Sequence, residues 1–362
     1  MIDFEPTEEQ ALVVETVRQF AANEIRPQAR AAEEARQPAQ HAIAVAHALG
    51  LVANALPTKF GGGGERSAVL AALVAEELAF GDLASALAIL SPALVAFPVA
   101  DYGSAAQQAA QLPRYAGGSF VPGALALLEP GFGADPFRPR TQAKRDGGHY
   151  VLDGRKCMVP WLPGGDTVLV FADEGGRAQG FLLPRDAAGL GAAPESYMGI
   201  QALPMVELTL AGVRVPADAK LGGESGSDLA RVITRGRVAL AALGVGVARA
   251  AFEIARDYAK QREAFGSKIA QKQAIAFLLA QMAIEIDGAR LLAWEAAWRL
   301  DQGEDALREA SLALDQVRRI ALDVADGAVQ VLGGHGYIRD YLPELQLRNA
   351  RGFASFEALA LV

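Results

Sequence analysis

The sequence predicts a mostly α-helical protein with a central β domain. Three observations carry this reading. Apolar residues recur at helical spacing over residues 1–118, an N-terminal helical domain. Turn residues punctuate short apolar runs over 119–223, a middle β domain. Three long helix-type runs follow over 224–362, a C-terminal helical bundle domain.

In the first region, Thr7 followed by Glu8 and Glu9 reads as a helix start, with acids against the helix dipole. Leu12, Val13, Val17 and Phe20 continue the pattern, and Pro27 interrupts it. Helices are expected over His41–Leu51 and Ser67–Phe80, the second with Glu76 and Glu77 on one edge. Gly61–Gly64 between them lack the Gly-Lys-Ser/Thr of a phosphate loop and read as a flexible link. His41 and His47, six apart, do not make a helical metal pair.

In the middle region, Asp146-Gly147-Gly148, Asp153-Gly154, Gly164-Gly165 and Gly175-Gly176 supply positive-φ turn positions. Val168–Phe171, Phe181–Leu183 and Val206–Leu210 read as strands. Beyond it come helical runs over Leu229–Gln261, Lys268–Leu300 and Glu304–Leu332. Ile275, Leu278, Leu279, Met282 and Ile286 form an amphipathic stripe on the second, which Gly303 stops.

Composition narrows the function classes. The 362 residues are 51% hydrophobic and carry a net charge of −8, which argues against a nucleic-acid partner. One cysteine, Cys157, precludes an internal disulfide and fits a reducing cytoplasm. MIDFEPTEEQ is acidic and polar, unlike a signal peptide. Leu87–Ala100 and Val238–Ala248 fall short of the ~20 residues that span a bilayer, so a soluble, cytoplasmic protein is expected.

The chemistry concentrates in Ala328–Glu357, AVQVLGGHGYIRDYLPELQLRNARGFASFE. Gly333-Gly334 end a helix and leave no Cβ over the backbone, so a ligand can approach closely; a double glycine is also an ordinary helix stop. The segment resembles the C-terminal signature of the acyl-CoA dehydrogenases: Q-x-x-G-G-x-G-Y, then R-D-A-K, then an aromatic and E-G-T. Gln330, Gly333, Gly334, Arg348 and Arg351 fall in register, and Glu357 falls on the catalytic glutamate. Helical, β, helical is also that family's domain order. The resemblance implies a β-barrel-like middle domain and a C-terminal four-helix bundle.

It further implies FAD as cofactor, an acyl-CoA substrate, a place in fatty-acid and lipid metabolism, and an electron-transferring flavoprotein as acceptor. The assembly implied is a tetramer built on the C-terminal bundles. Glu357 would take the α-proton while a hydride leaves the β-carbon for the flavin. A carboxylate in that role is tuned by burial beside an apolar acyl chain. Some relatives place the base before an Arg on the first long C-terminal helix. The matching pair here is Gly236-Arg237, which leaves Glu357 as the base and Arg237 on the substrate side.

Tyr258–Gly266 resembles Y-x-x-x-R-x-x-F-G, with Gln273 following. By resemblance, Arg262, Phe265 and Gln273 hold the FAD pyrophosphate and adenine, together with Gln330 and the Gly333-Gly334 loop. A guanidinium fork suits a diphosphate. Leu128–Asp135 resembles T-E-P-G-x-G-S-D, but Thr is Leu128 and Ser is Ala134. Gly154–Pro160 resembles G-x-K-x-W-I-T, but Trp is Met158 and Thr is Pro160. Leu359 replaces the Thr two places after the Glu. Four flavin-facing hydroxyls are thus lost together.

In the family each FAD lies at a subunit interface, and the neighbour contributes the Arg, the Gln and the Gly-Gly loop. This chain keeps the neighbour's share and departs in its own. The first reading is therefore an FAD-dependent acyl-CoA dehydrogenase. A second is a non-catalytic or half-site subunit of a heterotetramer with a related dehydrogenase. A related oxidase or a flavin-free acyl-CoA-binding protein is a third, with nothing in the sequence favouring oxygen reactivity. Only five residues follow Glu357, where relatives continue into another helical stretch, so either a more open acyl pocket or the loss of part of an interface is expected.

Overall fold

The computed structural model describes residues 5–353 and 355–362. Met1–Phe4 of the acidic start, and Ala354, lie outside the described residues. The first layer holds α1 (Glu8–Phe20), α2 (Ala29–Ala35), α3 (Gln40–Ala48), α4 (Ala68–Gly81), α5 (Leu83–Leu90), α6 (Ala93–Tyr102) and α7 (Ala105–Ala116). Thr7 caps α1 with a reciprocal bond to Gln10. Pro27 sits in a short 3-10 turn after a π turn, so the helical path continues where the sequence suggested a break.

Strands β1 (Leu125–Ala126), β2 (Gln142–Asp146), β3 (His149–Pro160), β4 (Thr167–Glu174), β5 (Arg177–Pro184), β6 (Leu190–Glu195) and β7 (Met205–Pro216) form one mixed sheet. The order is β1-β4-β2-β3-β7-β6, with β5 antiparallel on β4. Its strands hold a separate apolar core that includes Leu152, Val168, Val170, Phe181 and Leu208. Register shifts interrupt β3 between Leu152 and Gly154 and between Lys156 and Val159. The second shift turns Met158 into the left-handed region, φ 57°.

Helix α8 (Leu229–Gln261) is the axis of the remainder. A hairpin of β8 (Glu263–Ala264) and β9 (Ser267–Lys268) follows, then α9 (Gln273–Asp301), α10 (Leu307–Leu332), the single turn α11 (Gly334–Tyr337) and α12 (Pro343–Phe353). Helix α8 packs on α4, α9, α10 and α12. The second long helix thus begins at Gln273 and not Lys268, because the chain first closes the hairpin.

Three expectations change. Two helical stretches, Leu83–Tyr102 and Leu229–Gln261, do reach the length and apolarity that could cross a membrane. Their most apolar windows are 94% and 78% buried inside the protein, which accounts for their composition as core helices. Gly61–Gly64 is no slack link: a Cβ at Gly62 would lie 2.1 Å from the Leu56 carbonyl oxygen. Glu76 and Glu77 are buried in a cation cluster between domains. Arg249 bonds Glu76 at 2.7 Å and also Glu77, Arg290 bonds Glu76 at 3.0 Å, and Arg18 bonds Glu77 at 3.0 Å.

Candidate active site

Glu357 lies where the chain leaves α12 and returns to α8 and α10, and it is buried. Arg237 of α8 grips both carboxylate oxygens: Nε donates to Oε2 at 3.2 Å and Nη2 to Oε1 at 3.1 Å. Arg318 of α10 reaches Oε1 at 3.4 Å and also donates to the Phe356 carbonyl. Arg237 is itself set by Ser311, 2.7 Å from Nη1, and by the Phe137 ring, 5.2 Å away. The sequence expectation was a carboxylate beside an apolar chain. The structure gives it two guanidinium partners, and Arg318 was not anticipated.

The residues on either side of Glu357 are buried. Phe356, Ala358, Leu359, Ala360, Leu361 and Val362 are each at most 4% exposed. Ala358 lies on Gly236, where a Cβ would come within 2.9 Å of the Ala358 Cα. So Gly236, read only as the absence of a base, is what lets the segment lie on α8. The Val362 carbonyl oxygen accepts from Arg66 Nη2 at 3.0 Å and Arg235 Nη1 at 2.9 Å. Asp101 faces both cations, 2.7 Å from Arg66 and 3.7 Å from Arg235. Burial pulls Arg66 down to about 10 despite Asp101. An apolar cavity of about 300 Å³ is lined by Leu361 and Val362 together with Val74, Leu90, Phe97 and Ala239.

A second set meets elsewhere. Arg262, Gly333 and Gly334 line one open cleft of about 380 Å³ with Tyr258, Ile269 and His335. Gly333 takes φ 58°, ψ −128° at the end of α10, and its N–H donates to the Gln330 carbonyl at 3.1 Å. A Cβ at Gly333 or Gly334 would meet nothing within 4 Å, so the glycines leave the backbone bare towards the cleft. The Tyr258 hydroxyl and His335 Nδ1 lie 2.7 Å apart across its floor, a contact the motif alone did not announce. Phe265, at φ 54° and 96% exposed, and Gln273, exposed at the start of α9, flank the cleft and do not line it.

The third set lies along β3 and the loop before β2. Leu128 and Ala134 are half-buried, and Pro160 is buried at the end of β3. The Met158 N–H is taken by Glu195 Oε2 at 2.7 Å. Beneath them, Glu129 accepts from Lys156 Nζ at 2.8 Å, Thr141 N at 2.8 Å and Arg140 N at 2.7 Å. Burial alone pushes Glu129 up, but Lys156 and Thr141 overcome it and hold the carboxyl at about 2. Burial drops Lys156 to about 8, with Glu129 opposing. The loop is therefore built on a buried ion pair, while Leu128, Ala134 and Pro160 carry no hydroxyl.

The comparisons agree with this architecture. A family profile described as the acyl-CoA dehydrogenase N-terminal domain matches residues 7–119, and one described as the C-terminal domain matches 227–357. A probable acyl-CoA dehydrogenase of Bacillus subtilis is 33% identical over 360 residues, 97% of this chain and 94% of that protein. The butyryl-CoA dehydrogenase of Megasphaera elsdenii superposes with a TM-score of 0.88 at 30% identity, covering 97% of this chain and 95% of that one. A glutaryl-CoA dehydrogenase of Mycobacterium smegmatis solved with FADH2 superposes with a TM-score of 0.88 at 27% identity, covering 97% and 91%. With an N-terminal helical layer, a mixed sheet and a helical bundle all in that order, the chain belongs to the acyl-CoA dehydrogenases, a family of flavin-dependent oxidoreductases that use FAD.

Proposed function

We propose that this chain dehydrogenates an acyl-CoA thioester between its α- and β-carbons, with Glu357 as the base. The observation that carries the reading is the buried Glu357 carboxylate, held by Arg237 and Arg318 at the junction of α8 and α10. When bound, the flavin would accept the β-hydride, leaving an enoyl-CoA. Glu357 accepts the α-proton, and to do so one of its oxygens must leave Arg237. Arg237 keeps the second oxygen and so keeps the carboxylate aimed. An electron-transferring flavoprotein then removes the electrons, and the reaction runs in the cytoplasm.

The fit to FAD divides. Arg262 and the bare backbone of Gly333-Gly334 suit a diphosphate, with Gln273 and Gln330 nearby. The β-domain side fits poorly: Leu128, Ala134 and Pro160 offer no hydroxyl and the Met158 N–H is occupied. That division favours a second reading, a half-site subunit in a heterotetramer whose partner supplies the intact half. Phe277, Ile284 and Leu291 form an exposed stripe at seven-residue steps along α9, which supports a tetramer of either kind built on the bundles. Co-expression with a complete relative tests the second reading: a stable hetero-oligomer supports it, and separate homomers sink it. The spectrum of the FAD-loaded protein, titrated with an acyl-CoA, tests the first.

A further inference from the structure

Two residues of α10 hold the Arg237–Glu357 pair from one side. Ser311 and Arg318 are seven residues apart, about two helical turns, and so share a face of the helix. The Ser311 hydroxyl accepts from Arg237 Nη1 at 2.7 Å and donates to the Leu307 carbonyl, which anchors Arg237 to the helix backbone. Arg318 Nη2 has two acceptors, Glu357 Oε1 and the Phe356 carbonyl oxygen. Its Nε is buried with no hydrogen-bond partner among the described residues, which costs stability. The side chain is thus placed for residues 356 and 357 and not for its own satisfaction. The same turn is fixed from other directions. Phe356 is buried with the Tyr197 ring edge-on at 6.4 Å, and Ala358 takes φ 50° where it rests on Gly236.

The two carboxylate oxygens are not held alike. Oε2 has one donor, Arg237 Nε at 3.2 Å. Oε1 has two, Arg237 Nη2 at 3.1 Å and Arg318 Nη2 at 3.4 Å. Freeing Oε2 breaks one contact, and freeing Oε1 breaks two. We propose that Arg318 is a positioning residue: it pins Oε1 and the Phe356 carbonyl, so that Glu357 turns about Oε1 and takes the α-proton on Oε2. The proposal rests on the reading of Glu357 as the base. In that step the α-C–H bond breaks and its proton goes to Oε2. Its electron pair becomes the Cα–Cβ π bond as the β-hydride leaves for the bound flavin. Arg318 touches no reacting atom and acts through Glu357. A base displaced by about 1 Å can lose about 100-fold in rate.

The test supplies the protein with FAD in D2O, without an electron acceptor, and follows deuterium gained at the α-carbon of octanoyl-CoA by proton NMR. Arg318→Met removes both contacts. Arg318→Gln keeps an N–H donor for the Phe356 carbonyl and removes the cation at Oε1, and it decides the question if the Met variant fails to fold. Both variants are expected to exchange about 10- to 100-fold more slowly than the wild type, with calorimetric affinity for octanoyl-CoA unchanged. Arg318→Lys returns a cation to the site and is expected to recover most of the rate. Wild-type exchange in Arg318→Gln, or a loss of rate matched by an equal loss of affinity, overturns the proposal, because Arg318 then serves stability or binding alone. Exchange as fast in Glu357→Gln as in the wild type, or no exchange by the wild type, removes Glu357 as the base and the proposal with it.

Discussion

Arg237 and Glu357, 120 residues apart in sequence, meet in a two-pronged ion pair with both contacts between 3.1 and 3.2 Å. The pair ties the segment beyond α12 to the middle of the bundle. Arg237→Met removes one partner of a largely buried pair and leaves Glu357 with Arg318 alone. The expected cost is about 3 kcal/mol by urea denaturation. A loss under about 0.5 kcal/mol would show that the pair is solvated in solution.

Restoring hydroxyls should restore flavin affinity. Each net hydrogen bond is worth about 1 kcal/mol, so Leu128→Thr, Ala134→Ser and Pro160→Thr together should tighten FAD by roughly 100-fold. A fluorescence titration of FAD against the wild-type chain measures this. No gain would mean that these positions do not face the cofactor in this chain.

Glu129 predicts a specific acid weakness. Its folded value of about 2 lies below the ordinary 4.5, so as pH falls the unfolded chain takes up the proton first. The stability it contributes is whole above about 4.5 and is lost as pH falls towards about 2. Lys156, at about 8 against 10.5, is also depressed, so between those values the unfolded chain holds more protons and stability rises with pH. Urea midpoints at pH 6 and pH 3.5 should therefore fall less in Glu129→Gln than in the wild type. Parallel falls would remove Glu129 from the acid response.

Much of this was legible in the sequence because periodicity and turn chemistry are local. The long helices, the hairpin turns and the Thr7 cap follow from near neighbours along the chain. The register from Gln330 to Glu357 also needed no three-dimensional information. What was hidden depends on contacts between distant segments. Glu76 and Glu77 look like a solvated edge until Arg249 and Arg290 close over them. Gly236 is mute until Ala358 lies on it, and an apolar pentapeptide after Glu357 gives no sign of where it packs. Arg318, which belongs to none of the motifs, becomes a partner of Glu357 only when α10 lies along α8.

The most direct measurement is the visible spectrum of the purified protein with FAD, titrated with octanoyl-CoA, beside Glu357→Gln. The account predicts a flavin band that bleaches in the wild type and persists in the variant, which lacks a carboxylate to take the α-proton. Bleaching at equal rates in both, or a wild-type protein that never takes up flavin, would contradict Glu357 as the base of a flavin-dependent dehydrogenation.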